Sequence, residues 1–318
     1  MRKSITLILA ASVLTASLDS PGSAGPLRDR MRARMAERMM EKGKAANATA
    51  PETKPSATIS YGKAAEQNLD YWQAPNLSGA DSPPAPLIVF VHGGGWKRGS
   101  KDNATGKWKP AHFGAEGYNF ASINYRLVPD ATVEQQAADV ASALNTLLAL
   151  ADKLHIDRRR VVLMGHSAGA HLVALVGTDE SYLKGAGLSF SALAGVVPID
   201  GAAYDIPAQM NDGPRMMQQT YAQAFGADPA RQKALSPTMQ AAMPNAVRFL
   251  LLHVQRPDGV RQAQGLEKAL KAGGSQVERD GFPGEGLIGH MEINRRLGDP
   301  DYAPTAALDK WLKEVFVR

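Results

Sequence analysis

Val161-Val162-Leu163-Met164-Gly165-His166-Ser167-Ala168-Gly169 is the stretch that decides the fold. Four consecutive apolar residues suit a strand buried on both faces, and residues 168–176 that follow read as a helix. Between them stands G-x-S-x-G. Such a strand-to-helix turn must be sharp, so small residues two positions either side of the serine relieve crowding while its hydroxyl projects from the sheet edge. An ordinary strand–helix turn is the weaker reading of the same residues. A serine hydroxyl is a poor nucleophile unaided, so reading Ser167 as a nucleophile demands a base and a site for the developing anion.

The second signal lies upstream. The apolar run 87–91 ends in His92-Gly93-Gly94-Gly95-Trp96, again at the carboxyl end of a strand. Consecutive glycines let the backbone approach a ligand and present N–H groups that no Cβ obstructs. Gly94, Gly95 and the N–H of Ala168 are therefore the expected oxyanion donors. A phosphate-binding loop is disfavoured, because no Lys-Ser/Thr pair and no G-x-G-x-x-G follows. His92 reads as a structural residue holding the loop. Trp96, His166 and Tyr204 are the candidate lining of a substrate pocket.

Working outward, strand-like runs at residues 57–61, 67–73, 87–91, 119–125, 161–164, 193–198, 249–254 and 276–282 alternate with helical patterns at 133–153, 168–176, 261–272 and 305–316. Strands separated by helices imply an α/β fold with a mainly parallel sheet covered on both faces. The first two strands have no helix between them, which predicts an antiparallel start. Residues 200–246, rich in Met, Gln and Pro, are too long for an ordinary connection and read as a helical insertion over the site.

Where a serine sits on such a turn, the carboxylate and then the imidazole follow it along the chain. His92, His112, His155 and His166 precede Ser167, His171 lies on the same helix, and His253 lies inside an apolar run; His290 remains. His171 reads as a core histidine with satisfied ring nitrogens. For the carboxylate, Asp258 in the segment Arg256-Pro257-Asp258-Gly259 follows the strand 249–254 and is the first choice. Asp280 is the runner-up, and Asp200 and Asp205 trail because they precede the insertion.

Together, His92-Gly93-Gly94-Gly95-Trp96, Gly165-His166-Ser167-Ala168-Gly169-Ala170-His171-Leu172 and Gly289-His290 resemble the feruloyl-esterase-like and hormone-sensitive-lipase-like branch of the α/β-hydrolases over residues 58–318. Arylformamidases look similar at the same positions. The resemblance implies an α/β-hydrolase fold, a Ser167–Asp258–His290 triad, and a serine esterase that cleaves short-chain or aromatic esters through an acyl-enzyme. It implies no metal or organic cofactor. Two departures stand out. Related esterases carry D-x-x-V-P after the acid strand, whereas Pro257-Asp258-Gly259-Val260-Arg261 brings the acid one residue closer to Val260. A helical N-terminal cap of the lipase-like kind is also not evident, since residues 28–44 hold few aliphatic side chains. The alternative readings are an arylformamidase-like amide hydrolase and an inactive binding member of the fold.

The chain has 318 residues with 44% hydrophobic residues, 30 Gly and 20 Pro, which fits a globular, loop-rich protein. It has no Cys, so thiol nucleophiles, disulfides and Cys-ligated zinc are excluded. Basic Arg2 and Lys3 precede an apolar run at residues 5–16, too short for a membrane span. Small residues at Gly22 and Ala24 suit a signal peptide over residues 1–24, cleaved after Ala24, and hence a periplasmic or secreted protein. The formal charge of +5 resides wholly in residues 1–44, and residues 45–318 are neutral. Residues 25–57 read as a basic helix followed by a linker. That arm carries no aromatic residue, so nucleic-acid binding is not expected.

Overall fold

The computed structural model describes residues 50–75, 83–242 and 244–317. The segments expected to form a signal peptide, its cleavage site and a basic helix lie outside the described residues.

Among the described residues, eight strands form one sheet: β1 (Ala57–Ser60), β2 (Asn68–Trp72), β3 (Ala85–Val91), β4 (Asn119–Ile123), β5 (Ile156–His166), β6 (Gly195–Ile199), β7 (Arg248–Val254) and β8 (Gln276–Phe282). Their spatial order is β1-β2-β4-β3-β5-β6-β7-β8. β1 and β2 pair antiparallel, as does β2 with β4, and every later pair is parallel. This is the parallel sheet with an antiparallel start that the run of strands predicts. Composition follows position. All seven residues of the central β3 are buried, whereas β8 at the edge alternates and places Glu278 and Asp280 in solvent. Charge on an edge strand discourages pairing with another chain.

The helices are α1 (Trp108–Ala115), α2 (Val133–Ala149), α3 (Ala168–Thr178), α4 (Glu180–Gly185), α5 (Ile206–Asp212), α6 (Gln218–Phe225), α7 (Pro229–Ala234), α8 (Pro237–Gln240), α9 (Pro257–Ala272), α10 (Gly286–Arg296) and α11 (Ala303–Phe316). α2 starts at a capping box, in which Thr132 accepts from the Gln135 N–H and the Gln135 side chain accepts from the Thr132 N–H. Every residue of α3 is buried, because this helix packs between the sheet and α2. Four short helices, α5 to α8, occupy the stretch between β6 and β7. Two features differ from the sequence reading. α9 begins at Pro257, a residue suited to the first helical turn, so Asp258 lies inside a helix. The glycine-rich segment before His290 is short, and His290 itself is helical in α10.

Candidate active site

Three neighbouring strands deliver the site. β3 and β6 flank β5, and their carboxyl ends carry the glycine loop, Ser167 and Asp200 side by side. Ser167 sits at φ 58° and ψ −116°, a strained conformation for a side chain other than glycine. Its N–H donates to Ile199 O at 3.0 Å, which fastens the turn to the end of β6. The flanking glycines exist for close approach. A Cβ on Gly169 would lie 2.1 Å from Val91 O, and one on Gly165 would lie 2.4 Å from Gly169 O.

The glycine loop closes against this turn. Gly94 holds φ +133°, and a Cβ there would lie 1.8 Å from Arg98 O. A Cβ on Gly93 would lie 3.0 Å from the Ser167 Cβ, so the loop backbone runs directly beside the nucleophile. His92 stacks on Tyr125 with ring centroids 4.3 Å apart, and the Tyr125 hydroxyl donates to His92 O at 2.9 Å. Burial pushes the His92 imidazole down to about 4, so it stays neutral inside the loop.

His290 bridges serine and carboxylate. Its Nε2 lies 2.9 Å from Ser167 Oγ, and its Nδ1 lies 2.5 Å from Asp200 Oδ2. A carboxylate can only accept, so Nδ1 carries the proton and Nε2 is left to accept from the serine hydroxyl. Asp200, at φ 43°, is fully buried. Burial alone would raise its pKa. The hydrogen bond from His290, the Arg256 charge and the Val254 N–H outweigh that and hold it down at about 2.

The carboxylate on His290 is thus Asp200, which corrects the choice of Asp258. Asp258 accepts instead from Arg256 Nη1 at 3.4 Å and Gln209 Nε2 at 3.1 Å. The reason is local. After β7 the chain enters α9 within three residues, and Asp258 joins its first turn. After β6 the left-handed step at Asp200 instead turns the side chain toward His290. A signal for Asp200 was present in Val196-Val197-Pro198-Ile199-Asp200-Gly201, an acid that directly ends an apolar strand. Asp280 is exposed on β8.

The three expected pocket residues are packed into the interior. Trp96 is 3% exposed; its Nε1 donates to His171 Nδ1 at 3.3 Å, and its ring packs on Tyr221 and Phe225. His171 completes its bonding through Nε2, which donates to Leu235 O at 2.9 Å. Tyr204 is buried against Gly201, beneath the Asp200 turn. His166 donates from Nε2 to His290 O at 2.8 Å, and burial followed by the neighbouring His290 pushes its imidazole well below its ordinary value. It braces the backbone of the base rather than lining a pocket. Among the described residues, no group of three His, Asp or Glu side chains is placed to hold a metal ion, and no helix is long and apolar enough to cross a membrane.

Residues 76–191 match a family model described as BD-FAE. Among solved structures, esterase B from Lactobacillus rhamnosis superposes with a TM-score of 0.66 at 19% identity, covering 91% of this chain and 94% of that one. The chain has the α/β-hydrolase fold. Propionate-bound esterase 2 from Thermogutta terrifontis shares the fold, with a TM-score of 0.63 at 20% identity over 84% of this chain and 96% of that one. In sequence, the chain is 29% identical to esterase LipC of Mycobacterium tuberculosis over 72% of its own length. It is 26% identical to kynurenine formamidase of Danio rerio over 80% of each chain. The match spans 58% of the length of LipC and 61% of LipM, a probable carboxylic ester hydrolase of the same organism.

Proposed function

We propose that this protein is an α/β-hydrolase that cleaves carboxylic esters by acyl transfer through Ser167. The observation that carries the reading is the continuous line Ser167 Oγ, His290 Nε2, His290 Nδ1, Asp200 Oδ2, at 2.9 and 2.5 Å, beside a glycine loop. In this reading His290 takes the Ser167 proton as Oγ bonds to the acyl carbon. The tetrahedral oxyanion meets N–H groups of Gly94, Gly95 and Ala168, and His290 then returns the proton to the departing alcohol. Water, deprotonated by the same imidazole, releases the acid and restores Ser167. Asp200 keeps the imidazole in the working tautomer and stabilises the imidazolium that forms in both steps.

The esterase names of the relatives support ester substrates, which we take to be esters of short-chain or aromatic acids. The test is intact-mass spectrometry after exposure to a fluorophosphonate, together with p-nitrophenyl acetate turnover by Ser167→Ala. A stoichiometric adduct on Ser167 and loss of turnover in a folded variant are expected; turnover retained by Ser167→Ala would sink the reading. An inactive binding member of the fold would form no adduct.

A second reading has its own support. The formamidase relative aligns over most of both chains, so N-formyl aryl amines are the alternative substrates. Comparing kcat/KM for an aryl ester and N-formylkynurenine separates the two, and a preference for the formamide would move the assignment. Export through a signal peptide over residues 1–24 is proposed from their basic start and short apolar run. N-terminal sequencing of exported protein would then begin near Gly25.

A further inference from the structure

Asp200 does not meet His290 alone. Its Oδ2, the atom that accepts from His290 Nδ1, also accepts from Arg256 Nε at 2.9 Å, and its Oδ1 accepts from the Val254 N–H at 3.1 Å. Arg256 Nη2 reaches the carbonyl oxygens of Asp200 and Gly201 at 3.2 and 3.4 Å. The guanidinium therefore grips both the side chain and the strained turn that aims it. Its remaining edge faces Asp258 Oδ2 at 3.4 Å, and that carboxylate is braced by Gln209, whose Nε2 also bonds the Tyr221 hydroxyl at 3.0 Å. Arg256 and Asp258 are both nearly buried, at 12% and 10% exposure of their side chains, so solvent screens this chain of charges weakly.

We propose that Arg256 is a positioning residue for the Asp200–His290 pair, holding the carboxylate in register and offsetting part of its charge, with Asp258 as the counter-charge that sets how much is offset. The proposal rests on the serine-hydrolase reading above.

The neighbours leave this charge line dominant. Tyr204 and Tyr221 face Arg256, and burial pushes both phenols up. Tyr302 lies toward Asp200 and is pushed up to about 12 by burial. His166 beside His290, and Lys109 beyond it, are pushed well down by burial. Asp200, Arg256 and Asp258 form the ion-paired line that runs outward from the imidazole. A positive charge on Asp200 Oδ2 weakens the attraction between the carboxylate and a protonated imidazole. That attraction steadies the imidazolium formed as Ser167 gives up its proton, so the charge on Oδ2 bears on how readily His290 accepts it.

The test measures kcat/KM for an aryl ester against pH in wild type, Arg256→Met, Arg256→Lys and Asp258→Asn, with folding checked by circular dichroism. In Arg256→Met, the acid limb moves up by about one pH unit. Its kcat falls roughly tenfold or more while KM stays within about twofold, since the loss is one of alignment. Arg256→Lys keeps the charge without the fork, so the limb returns toward wild type while kcat stays reduced. Asp258→Asn leaves Arg256 less neutralised, so the limb moves the opposite way, to lower pH, by a smaller amount. Acid limbs coincident with wild type in Arg256→Met and Asp258→Asn would overturn the proposal, even if kcat fell, because a merely structural arginine predicts that pattern. Should Arg256→Met not fold, the sign of the Asp258→Asn shift decides. A wild-type protein that takes no fluorophosphonate on Ser167 would fail the underlying reading instead, a result distinct from all of these.

Discussion

The ends of β6 and β7 lie side by side at the same edge of the sheet, and both are followed by an aspartate, yet only one aspartate reaches the imidazole. After β6 the chain takes a left-handed step at Asp200, and again at Ala203, so the carboxylate is presented at once, one strand away from Ser167. After β7 it extends through Gln255 and Arg256 and then winds into α9, which carries Asp258 past the imidazole and leaves Arg256 in the gap. What a strand end contributes to a site thus depends on the first two or three backbone steps beyond it. The kind of residue found there is not enough.

The comparison breaks most directly on a pair of isosteric changes. Asp200→Asn should lower kcat by about 10⁴, since the imidazole is left in the wrong tautomer. Asp258→Asn should cost no more than about fivefold, because Asp258 does not touch the imidazole and loses its pair with Arg256 alone. The reverse ranking, read in steady-state kinetics, would return the acid to β7.

A smaller effect probes the arginine between them. Arg256→Ala leaves the buried Asp200 carboxylate without its cation and should destabilise the fold by about 3 kcal/mol. Arg261→Ala, on the exposed face of α9, should change stability by less than about 0.5 kcal/mol. Urea unfolding at neutral pH compares the two, and equal midpoints would show that Asp200 does not depend on the guanidinium.

Acid unfolding isolates Asp200 further. Its folded pKa of about 2 lies below the ordinary 3.8, so its contribution is fully present above the unfolded value and is lost as pH falls through the folded one. That contribution is about 2 kcal/mol, lost between about pH 4 and pH 2. Asp200→Asn should therefore show a shallower loss of stability over this window than wild type. Parallel curves would contradict the depressed pKa. The smallest effect belongs to Asp280→Asn: exposed on the edge strand, Asp280 should leave kcat/KM within about twofold.

Much of this architecture was legible because it rests on local signals. The buried strand before Ser167, the glycines around it and the alternation of strands with helices each follow from the periodicity or bulk of contiguous residues. The sequence around Asp258 misleads for a reason that is also local. Pro257 followed by Asp258 and Gly259 reads as a turn, but the apolar spacing of Ala263, Leu266 and Leu270 lets packing against the sheet extend the helix back to Pro257. The buried positions of Trp96 and Tyr204 were beyond reach in the same way, since an aromatic residue near a motif can line a pocket or fill a core with equal ease.

The sequence by itself determined that the chain would carry a serine on a strained strand-to-helix turn, a glycine loop at a second strand end, and a late histidine. Each of these is a demand of backbone geometry or of chain order. Which carboxylate serves the imidazole was decided only by tertiary structure. That choice turns on which strands are neighbours in the sheet, on a left-handed step after β6 set against an early helix after β7, and on an arginine drawn from one strand end to the other. These are relations between residues 56 to 90 positions apart, which periodicity and propensity along the chain do not encode.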